Sequence, residues 1–182
     1  MKGKRWLKMQ STVHLAEKKR TNATQEALYH ENHQQEFLSM RIAGQLFGIP
    51  VLQVQDVLSQ QKVTHIPLAP KEIAGSLNLR GRIVTAIDVR VRLGATVDET
   101  KKSMSVVIEH GEELYSLVVD EVGDVLKLTQ DCYEKSLATL DELWKEISGG
   151  IYRLDKELLV LLDIPRLLKS VYPKIDEINE VE

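Results

Sequence analysis

Five histidines, one cysteine and a knot of carboxylates are the residues of this 182-residue chain whose types suit metal or nucleophile chemistry. His30 and His33 stand in an H-x-x-H spacing, which seats two imidazoles on one helix face, but no cysteine or third ligand lies nearby in sequence. Cys132 has no recognisable partner base, so it reads as a structural thiol, buried or semi-exposed. Asp120, Glu121 and Asp124 crowd together, yet calcium ligation wants acids at alternate positions in a glycine-containing loop with a downstream glutamate. A solvated acidic turn is the expectation there. Gly149-Gly150 reads as a bend, and the nucleophile-elbow, phosphate-loop and H-E-x-x-H patterns are absent from the sequence. The chain is therefore read as non-catalytic, with no metal and no cofactor.

One further residue stands out. In GSLNLRGRIVTAIDV, residues 75–89, Arg80 precedes a glycine at the lip of an apolar run. Strand alternation sends Leu77 and Leu79 to one side and Ser76, Asn78 and Arg80 to the other, so Arg80 belongs to a polar face beside a turn at Gly81. An arginine so placed is either solvated or an anchor for a partner, since its planar fork makes several directed hydrogen bonds.

The elements that position it follow from the apolar pattern. Between 36 and 170, strand-length runs such as EFLSMRI, GRIVTAID, MSVVIEH and ELLVLLD recur between Gly, Pro, Asn and Asp, too closely for long helices. The fold class is all-β with a few short helices. The chain also repeats itself. Residues 45–58 match 113–126, 72–80 match 146–154, and 83–93 match 158–168, with the offset drifting from 68 to 74 to 75. Leu46, Val54, Asp56, Val57 and Leu58 recur identically in the first match. One copy alone buries too little apolar surface for comfortable stability. Two β-barrel-like subdomains, roughly 45–93 and 113–168, sharing one apolar core are expected. Asp88 and Asp163 end matching strands before helical stretches and read as helix caps, with Pro165 at an early helical position.

Net charge is −3, which offers no global field for nucleic acid. No apolar run approaches the roughly 20 residues that span a bilayer. Residues 1–35 carry seven Lys or Arg against three Glu and read as a flexible or partly helical basic leader; 171–182 reads as an acidic tail.

The run SLNLRGRIVTAIDVRVRLG, preceded by GQLFGIPVLQVQDVL and followed by LYSLVVDEVGDVL, resembles the CheW family of chemotaxis coupling proteins over about 36–170. The resemblance implies two five-stranded SH3-like barrels packed on a shared core, with a C-terminal helix. It implies a cytoplasmic, non-enzymatic adaptor, recruited to membrane-associated arrays. There it would bridge the cytoplasmic tip of chemoreceptors to the regulatory domain of the histidine kinase CheA. Carried over by motif, Arg80, flanked by Asn78 and Gly81, is linked to coupling, and the glycine before the motif is Gly75. The kinase-contacting segment falls on Val54 and Asp56, where many members have glutamate. A receptor groove between the subdomains includes Val122 and Val125. At 182 residues the chain leaves no space for a receiver domain of about 100–150 residues beside the coupling domain, so a stand-alone adaptor is expected. Two other readings remain at this point: a kinase-binding titrator or array spacer without receptor contact, and a ligand-binding barrel with a pocket lined by His65, His110 or Cys132.

Overall fold

The computed structural model describes residues 34–98, 100–135 and 140–172. The basic leader up to residue 33, with His30 and His33, and the tail from 173 onward lie outside the described residues. In chain order the elements are β1 (Gln34–Ile42), β2 (Gln45–Pro50), β3 (Val54–Ser59), β4 (Ile73–Leu79), β5 (Arg82–Asp88), α1 (Val89–Arg92), β6 (Met104–His110), β7 (Glu113–Val119), β8 (Glu121–Thr129), β9 (Tyr133–Glu134), α2 (Glu142–Ile147), β10 (Ser148–Arg153), β11 (Leu158–Leu162) and α3 (Ile164–Val171).

They form two sheets, β8-β1-β2-β11-β10-β9 and β3-β6-β7-β5-β4. These are the two SH3-like barrels the sequence announced, with α3 as the C-terminal helix. Substituting each strand by its repeat partner (β1 for β6, β2 for β7, β3 for β8, β4 for β10, β5 for β11) turns one strand order into the other, with the two-residue β9 left over at one edge. The duplication is real, but it does not divide the chain at the expected boundaries. β2, assigned to the first subdomain, lies in the sheet of β10 and β11; β7, assigned to the second, lies in the sheet of β4 and β5. The reason is that β2 and β7 are central strands, with Leu46–Ile49 and Ser116–Val119 buried throughout, so each needs a neighbour on both sides. Each takes its hairpin partner on one side and a parallel strand of the other repeat on the other, with Phe47 opposite Val160 and Thr85 opposite Tyr115. The six-stranded sheet thus holds two strands of the first repeat and four of the second, and the five-stranded sheet three of the first and two of the second.

Register corrects the repeat by one residue. Ile73 pairs with Ile87 and Ser148 with Leu162, so the offset is already 75 in this segment, not 74. Gly75 then stands over Gly150. Both sit at bulges, at φ +142° and +150°, and a Cβ would lie 2.2 Å from the Thr64 carbonyl oxygen in the first and 2.5 Å from the Tyr133 ring in the second. The shared E-I-x-G letters misalign the copies because Glu146 and Ile147 end α2, whereas Ile73 already opens β4.

Packing falls into three clusters. The largest joins Met40, Phe47 and Ile49 of one sheet to Ile87, Ile108 and Leu117 of the other, under Ile164, Leu167, Leu168 and Val171 of α3. Smaller cores fill each barrel: Phe37, Leu46, Tyr152 and Leu159 in one, Leu77, Val84, Ala86 and Val118 in the other. Val171 is 1% exposed, so the folded body runs past residue 170, where the sequence placed its end.

Both caps form as expected. The Asp163 carboxylate accepts from the Arg166 N–H at 3.0 Å. Asp88 accepts from the Arg90 N–H at 3.0 Å and also holds the buried Arg90 guanidinium at 2.7 Å. Those hydrogen bonds, more than the opposing desolvation, raise the Arg90 pKa above its ordinary value. Asp120 is not the solvated turn residue expected: it approaches Arg90 at 3.4 Å and accepts from the Ala43 N–H at 2.8 Å, tying the β1–β2 turn to the opposite sheet.

Candidate functional surface

Arg80 occupies a two-residue turn between β4 and β5, not the strand face that simple alternation suggests. Arg80 and Gly81 have φ +52° and +86°, the left-handed pair of a type I′ hairpin. The Asn78 side-chain oxygen fixes that turn by accepting from the Gly81 N–H at 2.8 Å. Gly81 supplies the positive φ at little cost, and Arg80 accepts a strained backbone that turns its side chain outward, 80% exposed.

The Arg80 guanidinium donates to the Asp56 carboxylate at 2.8 Å. Asp56 lies on β3 and Arg80 follows β4, and these are the two opposite edges of their sheet. The pair therefore spans the seam of the barrel. The other Asp56 oxygen accepts from the Val57 N–H at 2.9 Å, which orients the carboxylate. The equivalent turn of the other barrel has Asp155 in place of Arg80, and Glu157 there binds Arg41 at 2.9 Å. The arginine therefore marks one barrel only.

Asp56 also lines a groove of about 220 Å³ with Leu38, Val51, Val54, Gln55, Val57 and Val125. Val57 and Val125 are repeat equivalents, one on each of the edge strands β3 and β8, and they are 38% and 48% exposed. Two exposed valines facing one groove leave apolar area that water covers poorly. The groove thus draws on both sheets. Of the residues singled out from sequence, Val54, Asp56 and Val125 meet here; Arg80 joins them through Asp56, and Asn78 and Gly81 shape the turn that carries Arg80.

Two others do not join it. Val122 is partly buried against the shared core and lines a separate depression with Ser39 and Leu46. Gly75 is buried under Thr64, so what the position requires is backbone space. Sequence reasoning named Val57 only as a repeat match and passed over Val51; the identity of Val57 with Val125 was the signal for Val57. Leu52, 96% exposed on a 3-10 turn after β2, carries no signal beyond the preceding proline. His65, His110 and Cys132 are all exposed, and none lines the groove. Among the described residues no group of three or more His, Cys, Asp or Glu is arranged to hold a metal ion. Among them, too, no helix is long and apolar enough to cross a membrane.

The fold and this surface define a class, a fused pair of small barrels presenting a groove and a charged rim where the sheets meet. The chain belongs to the CheW-like domain family, whose pattern matches residues 36–172. It is 36% identical over 151 residues to the chemotaxis protein CheW of Klebsiella aerogenes, covering 81% of this chain and 90% of that one. It is 27% identical over 124 residues to the protein PilI of Pseudomonas aeruginosa, covering 68% and 70%. In three dimensions it is similar to the scaffolding protein TtCheW from Thermoanaerobacter tengcongensis, with a TM-score of 0.65 at 25% identity, over 72% of this chain and 90% of that one.

Proposed function

We propose that this protein is a non-catalytic adaptor that couples chemoreceptors to the histidine kinase CheA, acting at cytoplasmic arrays beneath the membrane. One observation carries the reading: Asp56 lines the apolar groove and is at the same time held by Arg80 at 2.8 Å, so a groove-bound partner and a rim-bound partner share one carboxylate. The apolar groove suits the receptor tip, a helical bundle that buries aliphatic side chains against Val57 and Val125. The exposed Arg80 turn suits the kinase regulatory domain, as an arginine anchor in a small interface of micromolar strength. The names of the relatives, CheW and a scaffolding CheW, support the same role.

The test is reconstitution of receptor, kinase and this protein on vesicles. The adaptor reading expects kinase activity to rise when the protein is added. Arg80→Ala should lose kinase recruitment while receptor co-sedimentation persists, and Val57→Asp with Val125→Asp should lose receptor co-sedimentation. A protein that binds the kinase yet lowers or leaves its activity would be a titrator, and that result overturns the proposal.

A further inference from the structure

The loop between β3 and β4 holds one leucine out in water. Ile66, Pro67, Leu68 and Ala69 form a β-turn in which the Ala69 N–H donates to the Ile66 carbonyl at 3.3 Å. Pro67 takes the second position and Leu68 the third, at φ +63°. That is the pattern of a type II turn, whose third position favours glycine or asparagine. Among the described residues Leu68 is the only large apolar side chain on a positive-φ backbone, and it is fully exposed. Leucine gains the fold nothing here, since it strains the turn and buries no surface. The turn is held firmly all the same. Thr64 and Ser76 exchange backbone hydrogen bonds of 2.7 and 2.8 Å, the Ile73 N–H donates to the Pro70 carbonyl at 2.9 Å, and Val63 and Ala69 pack inward. A side chain presented on a fixed turn loses little freedom on docking. Ile66 adds apolar area beside it. Lys62 and Lys71 are exposed on the same loop, where the half-buried Glu72 is the one acid.

A complementary surface lies on the other barrel. A depression of about 330 Å³ is lined by Leu46, Val122, Leu126 and Leu154, together with Glu121, Asp124 and Glu157. Its one cation, Arg41, already donates to Glu157 at 2.9 Å and to the Gly44 carbonyl at 3.2 Å, which leaves the exposed Glu121 and Asp124 in excess. The apolar lining suits a leucine, and the two acids suit the two lysines. The loop bridges to β4 of the five-stranded sheet, whereas the depression draws on β1, β2, β8 and the β10–β11 turn of the six-stranded one. Leu68, fully exposed, does not fill the depression of its own chain.

We propose that Leu68 of one copy docks in the Leu46–Leu126–Leu154 depression of a second copy, with Lys62 and Lys71 against Glu121 and Asp124. The contact is head to tail, so each copy keeps a free turn or a free depression for the next. It is small, and the association is correspondingly weak. Neither Arg80 nor the Val57–Val125 groove takes part, so the proposal stands apart from the adaptor reading.

The test is sedimentation of the full chain over a rising concentration series, in reductant so that the exposed Cys132 forms no disulfide. The weight-average mass is expected to climb above the monomer value. Leu68→Asp should hold the chain monomeric, and so should Glu121→Lys combined with Asp124→Lys. A mixture of these two variants still offers one intact turn and one intact depression, so association should return and stop at the dimer. Leu68→Asn, which suits the left-handed position, should raise the melting temperature and still block association, separating docking from folding. A chain that stays monomeric, association that survives Leu68→Asp, or variants that fail to complement each other overturns the proposal. So does a monomeric chain that co-sediments with phosphatidylserine vesicles through Leu68, which would give the turn a lipid surface instead.

Discussion

Arg80 and Asp56 hold the two edge strands of one barrel together at 2.8 Å, from a turn on one side and a strand on the other. An arginine so far into solvent contributes little to stability, because water screens the pair and the long side chain must be ordered to form it. Arg80→Ala is expected to change the unfolding free energy by no more than about 1 kcal/mol, read from denaturant melts. A collapse of the fold would make Arg80 a structural clamp and remove it from the partner surface.

The two bulge glycines differ in what opposes a side chain. At Gly75 a methyl meets the Thr64 carbonyl, which accepts from the Ser76 N–H at 2.8 Å while the Thr64 N–H donates to the Ser76 carbonyl at 2.7 Å. At Gly150 it meets the Tyr133 ring, whose hydroxyl donates to the Gly149 carbonyl. Backbone strain of this kind costs about 1–3 kcal/mol before any clash is counted. Gly75→Ala should lower the melting temperature more than Gly150→Ala, since an aromatic ring can turn aside and a paired backbone cannot. Gly44→Ala, at φ +81° with nothing within 4 Å, should cost least. The order of the three melting temperatures is the check.

The paired caps separate a helix end from a buried charge. Asp163→Ala removes a cap from α3 and should cost about 1 kcal/mol. Asp88→Ala removes the same cap and strands Arg90, whose side chain is 9% exposed, beside Asp120 alone; about 3–5 kcal/mol is expected. Equal losses in the two variants would show that Arg90 finds water or another acid on relaxing.

Alkaline titration tests Tyr115. Burial, and then its hydrogen bond to Glu113, push its pKa from 10.0 up to about 12. The folded protein therefore keeps a proton that the unfolded chain gives up. This contribution is complete below pH 10.0 and is lost as the pH climbs from there toward about 12. Phenolate absorbance should show a late-titrating tyrosine that Tyr115→Phe removes, and the same variant should flatten the fall in stability over that range.

Much of this molecule is legible in its residues. The strands are short apolar runs bounded by turn formers, and the caps announce themselves as an aspartate before a helical spacing. The duplication is visible because Leu46, Val54 and Asp56 recur in step. What does not show is which strand lies beside which. Parallel neighbours such as Phe47 and Val160 are joined by no local pattern, and an apolar run buried on both faces carries no alternation to fix its partner. The surface was half legible. Arg80 and Asp56 are marked by motif, but their contact comes from closing a sheet. Val122 and Val125 look alike in sequence and part company because residues three apart on a strand face opposite ways. Asp120 among its acidic neighbours gives no hint that Arg90 and Ala43 will claim it.

The exchange of strands between the repeats has a consequence for ancestry and assembly. A single repeat, ending after β5 and α1, leaves β1 and β2 without β8, β11 and β10, and β3, β4 and β5 without β6 and β7. A second identical copy related by a two-fold axis would supply both, so the architecture is that of a strand-swapped homodimer written into one polypeptide. Fusion makes the meeting of the halves intramolecular and independent of protein concentration. It also lets the two halves differ, as the hairpins do: one carries Arg80 and its twin Asp155.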